Sequence, residues 1–320
     1  MGFQEMLFNL SNPTILFFLL GVIAVMLKSD LEIPASSSKF ISLYLLFAIG
    51  FKGGQELAHE DINQEVLLSL LLGIALSTLI PLYTFYLLRL KLDVQNAAAV
   101  AAAYGSVSAV TFVAAMSVLE FHQLKSGGHM VAVMALMESP AIMVGVALLT
   151  IYGVEKSKEL SIGNVVRHSF TNGSVLLILG SLIIGFVADE RQAEGIKPFT
   201  TDIFKGFLAL FLLEMGMVTA RRFSAFKKYG GWLTVFGVIV PLVNGALGAF
   251  FSQFVTADVA NRFVFGVLSA SASYIAVPAA MRLAAPKADP GLYVPMALGI
   301  TFPVNLTLGM PLYMFIVENT

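Results

Sequence analysis

The chain contains no cysteine, which excludes disulfides, thiol catalysis and thiolate metal sites. It is also poor in charge. Only 12% of its residues are Asp, Glu, Lys or Arg, about half the roughly 25% of a soluble domain. A net charge of −1 provides no basic field for nucleic acid. Phosphate loops and dinucleotide fingerprints are absent, so no ATP-driven step is expected within this chain. The four histidines (His59, His122, His129 and His168) fall in or beside predicted loops. No two have the His-x-x-x-His spacing of a zinc site. No His or Asp pair stands at catalytic spacing, so an enzyme is not expected. Met1 to Leu10 carries no Lys or Arg, so the basic start of a cleavable signal is missing.

Apolar residues are abundant: 58% of the 320 residues are hydrophobic and the mean hydropathy is +0.85. A membrane helix needs about 20 apolar residues, so the chain has room for about ten with short loops. Charges and turn residues divide it into ten apolar segments near 13–28, 36–54, 66–90, 95–119, 129–152, 173–188, 200–220, 230–255, 261–284 and 292–317. Backbone groups in lipid must pair internally, so these are predicted to be helices. The alternation of a membrane barrel is weak. The expected class is an all-α membrane protein of ten transmembrane helices.

Lysine and arginine sort by side. Thirteen (Lys28, Lys39, Arg89, Lys91, Lys156, Lys158, Arg167, Arg221, Arg222, Lys227, Lys228, Arg282, Lys287) fall on one side and six (Lys52, Lys125, Arg191, Lys197, Lys205, Arg262) on the other. The rich side is expected to face the cytoplasm. Ten spans then leave both termini outside a cytoplasmic (inner) membrane.

An internal repeat runs through the chain. FAIGFKGG at 47–54 and LLEMGMVT at 212–219 correspond when Gly50 is placed on Gly216. YGSVSAVTFVAAM from Tyr104 aligns with SASASYIAVPAAM from Ser269, so Ser106 and Ser108 match Ser271 and Ser273. MALMESP from Met134 aligns with MALGITFP from Met296. The offsets are about 162–166 residues, close to half the chain. The expected division is 1–155, a cytoplasmic linker at 156–172, and 173–320. Each half holds five helices, an odd number, so the second half enters the membrane inverted. Inverted repeats are characteristic of secondary transporters.

The fourth and ninth segments hold Gly, Ser and Ala where a lipid-facing helix would hold Leu or Phe. Ser and Gly weaken helix continuity, and both segments are predicted to be interrupted. Half-helix N-termini starting near Ser106 and near Ser271 would then point at one spot from opposite sides and attract a small anion. Tight packing of small residues is the competing explanation. The candidate anion site is Gly105, Ser106, Val107, Ser108, Ala272 and Ser273.

Glu138 lies near the middle of the fifth segment, beside Ser139 and Pro140. A carboxylate at the bilayer centre costs about 2.5–3.5 kcal/mol on insertion scales, and such groups usually face the protein interior. Pro140 frees a backbone carbonyl. Carboxylate, hydroxyl and carbonyl are hard oxygen ligands suited to Na⁺. The matching stretch of the tenth segment offers Thr301, Pro303 and Asn305. The candidate sodium site is Ser106, Thr111, Glu138, Ser139, Thr301 and Asn305. A purely structural hydrogen bond from Glu138 is the alternative. Glu214, Lys52 and Arg282 are read as structural, with Glu214 expected to pair with Arg221 or Arg222. No Lys or Arg lies beside the Ser-x-Ser motifs. Di- and tricarboxylates usually need such a partner, so a singly charged, oxygen-rich anion offset by Na⁺ is the expected cargo.

These residues carry a resemblance. IGFKGG at 49–54, GSVSAVTFVAA at 105–115, MESPAI at 137–142, SASYIAVPAAMR at 271–282 and MALGITFPVNLTLG at 296–309 resemble the sodium-dependent bicarbonate transporter family, known from cyanobacterial inorganic-carbon uptake. The resemblance covers nearly the whole chain. It implies two inverted five-helix repeats, a homotrimer and Na⁺-coupled bicarbonate symport. It also implies a core of helices 3–5 and 8–10 moving against the remaining helices. By position, Gly105, Ser106, Ser108, Ala272 and Ser273 match the family's anion-binding motifs, and Thr111, Glu138 and Thr301 its sodium ligands. Some members are inhibited by a PII-like protein from the cytoplasmic side. This chain departs from the cyanobacterial pattern in having Glu138 for Asp, Tyr274 for Asp, and only a short loop from about 153 to 172.

Two other functions fit the same residues. One is a Na⁺-coupled carrier of another small monovalent anion, such as a short monocarboxylate, which Tyr274 keeps in contention. The other is a cation/proton antiporter using Glu138, which would leave the paired Ser motifs without work.

Overall fold

The computed structural model describes residues 13–59, 63–153, 173–222, 230–274 and 276–320. The linker at 156–172, with Lys156, Lys158, Arg167 and His168, lies outside them, as do Lys227 and Lys228. An apolar chain in lipid must satisfy its own backbone, and the described residues contain helices and no strand.

The helices are α1 (Pro13–Met26), α2 (Ala35–Ala58), α3 (Gln64–Leu88), α4 (Val94–Gly105), α5 (Ala109–Phe121) and α6 (His129–Tyr152), then α7 (Gly173–Val187), α8 (Glu190–Glu194), α9 (Phe204–Arg222), α10 (Gly230–Phe251), α11 (Val259–Ala270) and α12 (Ala276–Ala284). The last, α13, runs over Pro290–Asn319. Among the described residues, five stretches are long and apolar enough to cross a membrane: Gln64–Leu88, Val94–Phe121, His129–Tyr152, Gly230–Phe254 and Pro290–Asn319. This is a multi-pass, all-helical membrane protein.

Local chemistry sets the helix boundaries. Asn63 caps α3 by accepting from the Val66 N–H, and Asp93 caps α4 by accepting from Gln95 and Asn96. Asp258 does the same for α11 at Asn261. A side-chain acceptor here satisfies N–H groups that the helix itself leaves open. In α13 two wide π turns, Ala297–Thr301 and Asn305–Gly309, stand just before Pro303 and Pro311. A proline ring clashes with the carbonyl four residues earlier, and a widened turn relieves that clash.

Two helix pairs approach through glycine. Gly21 of α1 lies on the backbone of Leu213 and Met217 in α9, and Gly216 of α9 lies on Phe18 and Val22 in α1. Gly50 of α2 lies on Ile178 in α7, and Gly185 of α7 lies on Phe51. Without a side chain between them, helix backbones gain dispersion contact that lipid tails cannot match. At the centre, α4 is buried on every side: Ala97 through Ala103 are all fully inaccessible. A helix apolar on all faces is a buried helix, and the small alanine side chains let its neighbours approach closely.

Contacts at one end of the bundle join Lys125 to Glu56, Lys205 to Glu120, and His59 to Glu190. The Gly127 N–H donates to Asn261 there, and the Thr256 hydroxyl to Glu65. The buried Arg262 donates to the Val317 carbonyl and the Thr320 hydroxyl at the end of α13.

Candidate functional site

The two interruptions cross and bond to each other. α4 ends at Gly105, packed so closely on the Pro81 ring of α3 that a Cβ there would lie 2.7 Å from its Cγ. The chain then runs extended through Ser106 and Ser108. Ser108 caps α5, its hydroxyl accepting from the Thr111 N–H at 3.2 Å. α11 ends at Ala270 and Ser271 is likewise extended. Ser271 Oγ donates to the Leu268 carbonyl at 2.8 Å and accepts the Ser108 N–H at 3.2 Å. In the other direction, the Ser273 N–H donates to the Ala103 carbonyl at 2.8 Å. Ser273 Oγ faces the Val277 N–H at 3.4 Å, at the start of α12.

The half-helices restart later than the sequence predicts. They begin at Ala109 and Ala276 rather than near Ser106 and Ser271. Ser106 still completes α4, its N–H bonding the Ala102 carbonyl at 3.0 Å. The next serine takes the capping role because its hydroxyl reaches the first-turn N–H groups.

Beside this crossing is a cavity of about 40 Å³. One water needs roughly 10–15 Å³ on the same measure, so an occupant of a few heavy atoms fits. Val107, Ser108, Ala109 and Val110 form one wall, and Ser273 and Tyr274 a second. Glu138 of α6 closes it from the side. Ser42, Leu45 and Leu46 of α2 and Phe211 of α9 complete it. The first N–H groups of α5 have no partner within the helix, and Ala109 and Val110 bring them to the cavity wall.

The predicted residues therefore separate into groups. Val107, Ser108, Ser273 and Glu138 line one cavity. Gly105, Ser106, Ala272, Thr111 and Ser139 are buried around it without lining it. Three of the polar atoms have no hydrogen-bond partner among the described residues: Ser106 Oγ, Ser139 Oγ and Glu138 Oε2. Buried polar atoms are normally paired, so an uncompensated carboxylate oxygen and hydroxyls here suit a cation's ligands. Thr301 and Asn305 are engaged elsewhere. The Thr301 hydroxyl donates to the Gly237 carbonyl at 2.9 Å and meets the Tyr104 hydroxyl at 2.8 Å. Asn305 donates to the Ala270 carbonyl at 2.6 Å and accepts from Tyr313 at 3.0 Å.

Ser42, Phe211 and the aliphatic lining residues escape sequence reasoning, whereas Tyr274, already marked as a departure from the family pattern, proves to line the cavity. A lone Ser or Phe in an apolar helix carries no signal of its own. Glu214 Oε2 on α9 has no hydrogen-bond partner among the described residues, and Glu214 does not line the cavity. Chemically, the site presents hydroxyls and open helix N–H groups to an anion. It also places the carboxyl group of Glu138 on the same cavity, a hard oxygen ligand of the kind that suits a cation.

No curated protein matches the chain. A family model does, over residues 13–318, and this span contains both interruptions, the cavity and Glu138. The chain belongs to the Na⁺-dependent bicarbonate transporter superfamily.

Proposed function

We propose that this protein imports bicarbonate across the cytoplasmic membrane by Na⁺-coupled symport. The observation that carries this reading is the single cavity where Ser108 and Ser273, from two crossed helix breaks, face Glu138. Bicarbonate lies between the start of α5 and the two serine hydroxyls. Na⁺ sits toward Glu138, with Ser106, Ser139 and Thr111 as neighbouring oxygen donors. Each charge offsets the other, so the pair crosses a low-dielectric interior that neither ion would cross alone. Thr301 and Asn305 act behind the site, holding α4, α11 and α13 in register.

Two inverted repeats, 1–155 and 173–320 joined by 156–172, account for the reciprocal glycine contacts. Gly21 meets α9 as Gly185 meets α2, and Gly50 meets α7 as Gly216 meets α1. These four helices form the gate, against which α3–α6 and α10–α13 move as the core. Both termini lie outside, consistent with six cations at the end that holds Arg262 and Thr320. A homotrimer is the expected assembly. A PII-like regulator would need the 153–172 loop, of which only Gly153 is described.

A second reading is favoured by one feature of the cavity. Leu45, Leu46, Val110, Val113 and Phe211 make most of its wall apolar, which suits the alkyl end of a short monocarboxylate, with the Tyr274 hydroxyl on its carboxylate. Uptake by proteoliposomes under an inward Na⁺ gradient, with K⁺ as control at fixed pH, tests both. Labelled bicarbonate accumulating only with Na⁺ supports the first; acetate displacing it at equal concentration supports the second. Replacing Ser108 or Ser273 by Leu fills the cavity and is expected to stop uptake in folded protein. Full uptake by both variants rules the site out.

A further inference from the structure

We propose a second, outer anion site built around Lys52, where a small monovalent oxyanion is collected before it enters the inner cavity. The proposal rests on the symport reading for its direction of travel. A wider cavity of about 320 Å³ lies at the C-terminal end of α2. Three of the helices that wall the inner cavity continue into it. α2 passes from Leu45 and Leu46 to Ile49 and Lys52, α5 from Val113 to Met116 and Glu120, and α9 from Phe211 back to Phe204 and Lys205. Six residues separate Leu46 from Lys52, about 9 Å along a helix axis.

Charge in this cavity is partitioned. Three lysines and two glutamates face it: Lys52, Lys125 and Lys205 with Glu56 and Glu120. Lys125 pairs with Glu56 at 3.0 Å, and Lys205 with Glu120 at 2.8 Å. Lys52 has no ion-pair or hydrogen-bond partner among the described residues. One ammonium is thus left over, on the wall of a concave space. Gln123 and Thr201 line the same space and can donate hydrogen bonds, and Ser126 lines it with its hydroxyl donating to Met116 Sδ at 3.6 Å. A cleft with one uncompensated charge focuses its field and raises the local concentration of the opposite ion. The inner cavity holds no Lys or Arg, so Lys52 supplies the attraction that the inner site lacks.

The absence of cysteine makes a direct test clean. Ser126→Cys in the full chain, reconstituted in liposomes, is labelled with negatively and positively charged thiol reagents of equal size. With Lys52 present the anionic reagent is expected to react roughly three- to tenfold faster, and bicarbonate to slow it. Lys52→Gln is expected to bring the two rates together, Lys52→Arg to keep the difference, and Lys197→Gln, at the paired Lys197 outside the cavity, to change nothing. Thr201→Cys serves as reporter if the first variant does not fold. In uptake assays Lys52→Gln should raise KM for bicarbonate by the same factor at low salt, with the maximal rate nearly unchanged. Raising ionic strength should erase the difference as the Debye length falls below about 10 Å. Equal labelling rates with Lys52 intact overturn the proposal. Charge-selective labelling by a protein that shows no bicarbonate uptake upholds the outer site and discards the symport reading instead.

Discussion

Ser271 Oγ accepts the backbone N–H of Ser108 at 3.2 Å, tying the start of α5 to the end of α11 across 163 residues of sequence. The Ser273 N–H returns the link by donating to Ala103 in the opposite half. Each interruption thus supplies a partner that the other has lost. The two breaks form one hydrogen-bonded unit, which fixes the spacing of the hydroxyls facing the cavity.

Ser271→Ala removes the acceptor of a buried N–H. The expected cost is about 1–3 kcal/mol, read as a lower midpoint of thermal unfolding in detergent. Ser269 is equally buried, but its hydroxyl only donates to the Phe265 carbonyl within its own helix. Ser269→Ala is expected to cost less than about 1 kcal/mol. Equal effects would show that the link between the breaks contributes nothing.

Glu138→Gln keeps the shape of the side chain and removes its charge. In the wild type, Na⁺ at a hundred times its dissociation constant should stabilise the fold by about 2.7 kcal/mol. The variant should lose that gain and its Na⁺-dependent uptake. Without Na⁺ it should be at least as stable as wild type, because an unpaired buried carboxylate is costly. A variant that still gains stability from Na⁺ places the ion elsewhere.

Asn305→Ala separates a structural role from a ligand role. It leaves the Ala270 carbonyl without its side-chain donor, whereas Tyr313 keeps the Pro241 carbonyl at 3.3 Å. The expected loss is about 1–3 kcal/mol for the one orphaned group. The Na⁺ concentration for half-maximal uptake should stay unchanged. A shift of tenfold or more would return Asn305 to the sodium shell.

Two glycines of α9 make a paired test of its packing on α1. A Cβ on Gly216 would overlap the Phe18 backbone, whereas Gly206 has nothing within 4 Å. Gly216→Ala should destabilise by about 1–3 kcal/mol or more, since backbone cannot yield as a side chain does. Gly206→Ala should be neutral or stabilise by roughly 0.5–1 kcal/mol, the helix preference of Ala over Gly. Similar unfolding midpoints for the two variants contradict the close approach of α1 and α9.

By itself the sequence determined that this chain is a helical membrane protein. Lipid offers no hydrogen-bond partner, so apolar segments of this length have little choice but helix. It also marked both interruptions, because Gly and Ser at 105–108 and Ser at 271 and 273 make poor helix. Their ends were displaced by a few residues, since which serine becomes the cap depends on where its hydroxyl can reach. Only tertiary structure decided which polar groups remain available. Thr301 and Glu138 look alike in sequence as oxygen donors within apolar segments. Thr301 is satisfied by Tyr104 and Gly237, while Glu138 Oε2 has no partner among the described residues. The same holds for Lys52, distinguished from Lys125 and Lys205 by having no ion-pair partner among the described residues. Those partners come from other helices, in the case of Thr301 as far as 197 positions away. Local pattern describes what a residue can offer, and long-range packing decides whether that capacity is already taken.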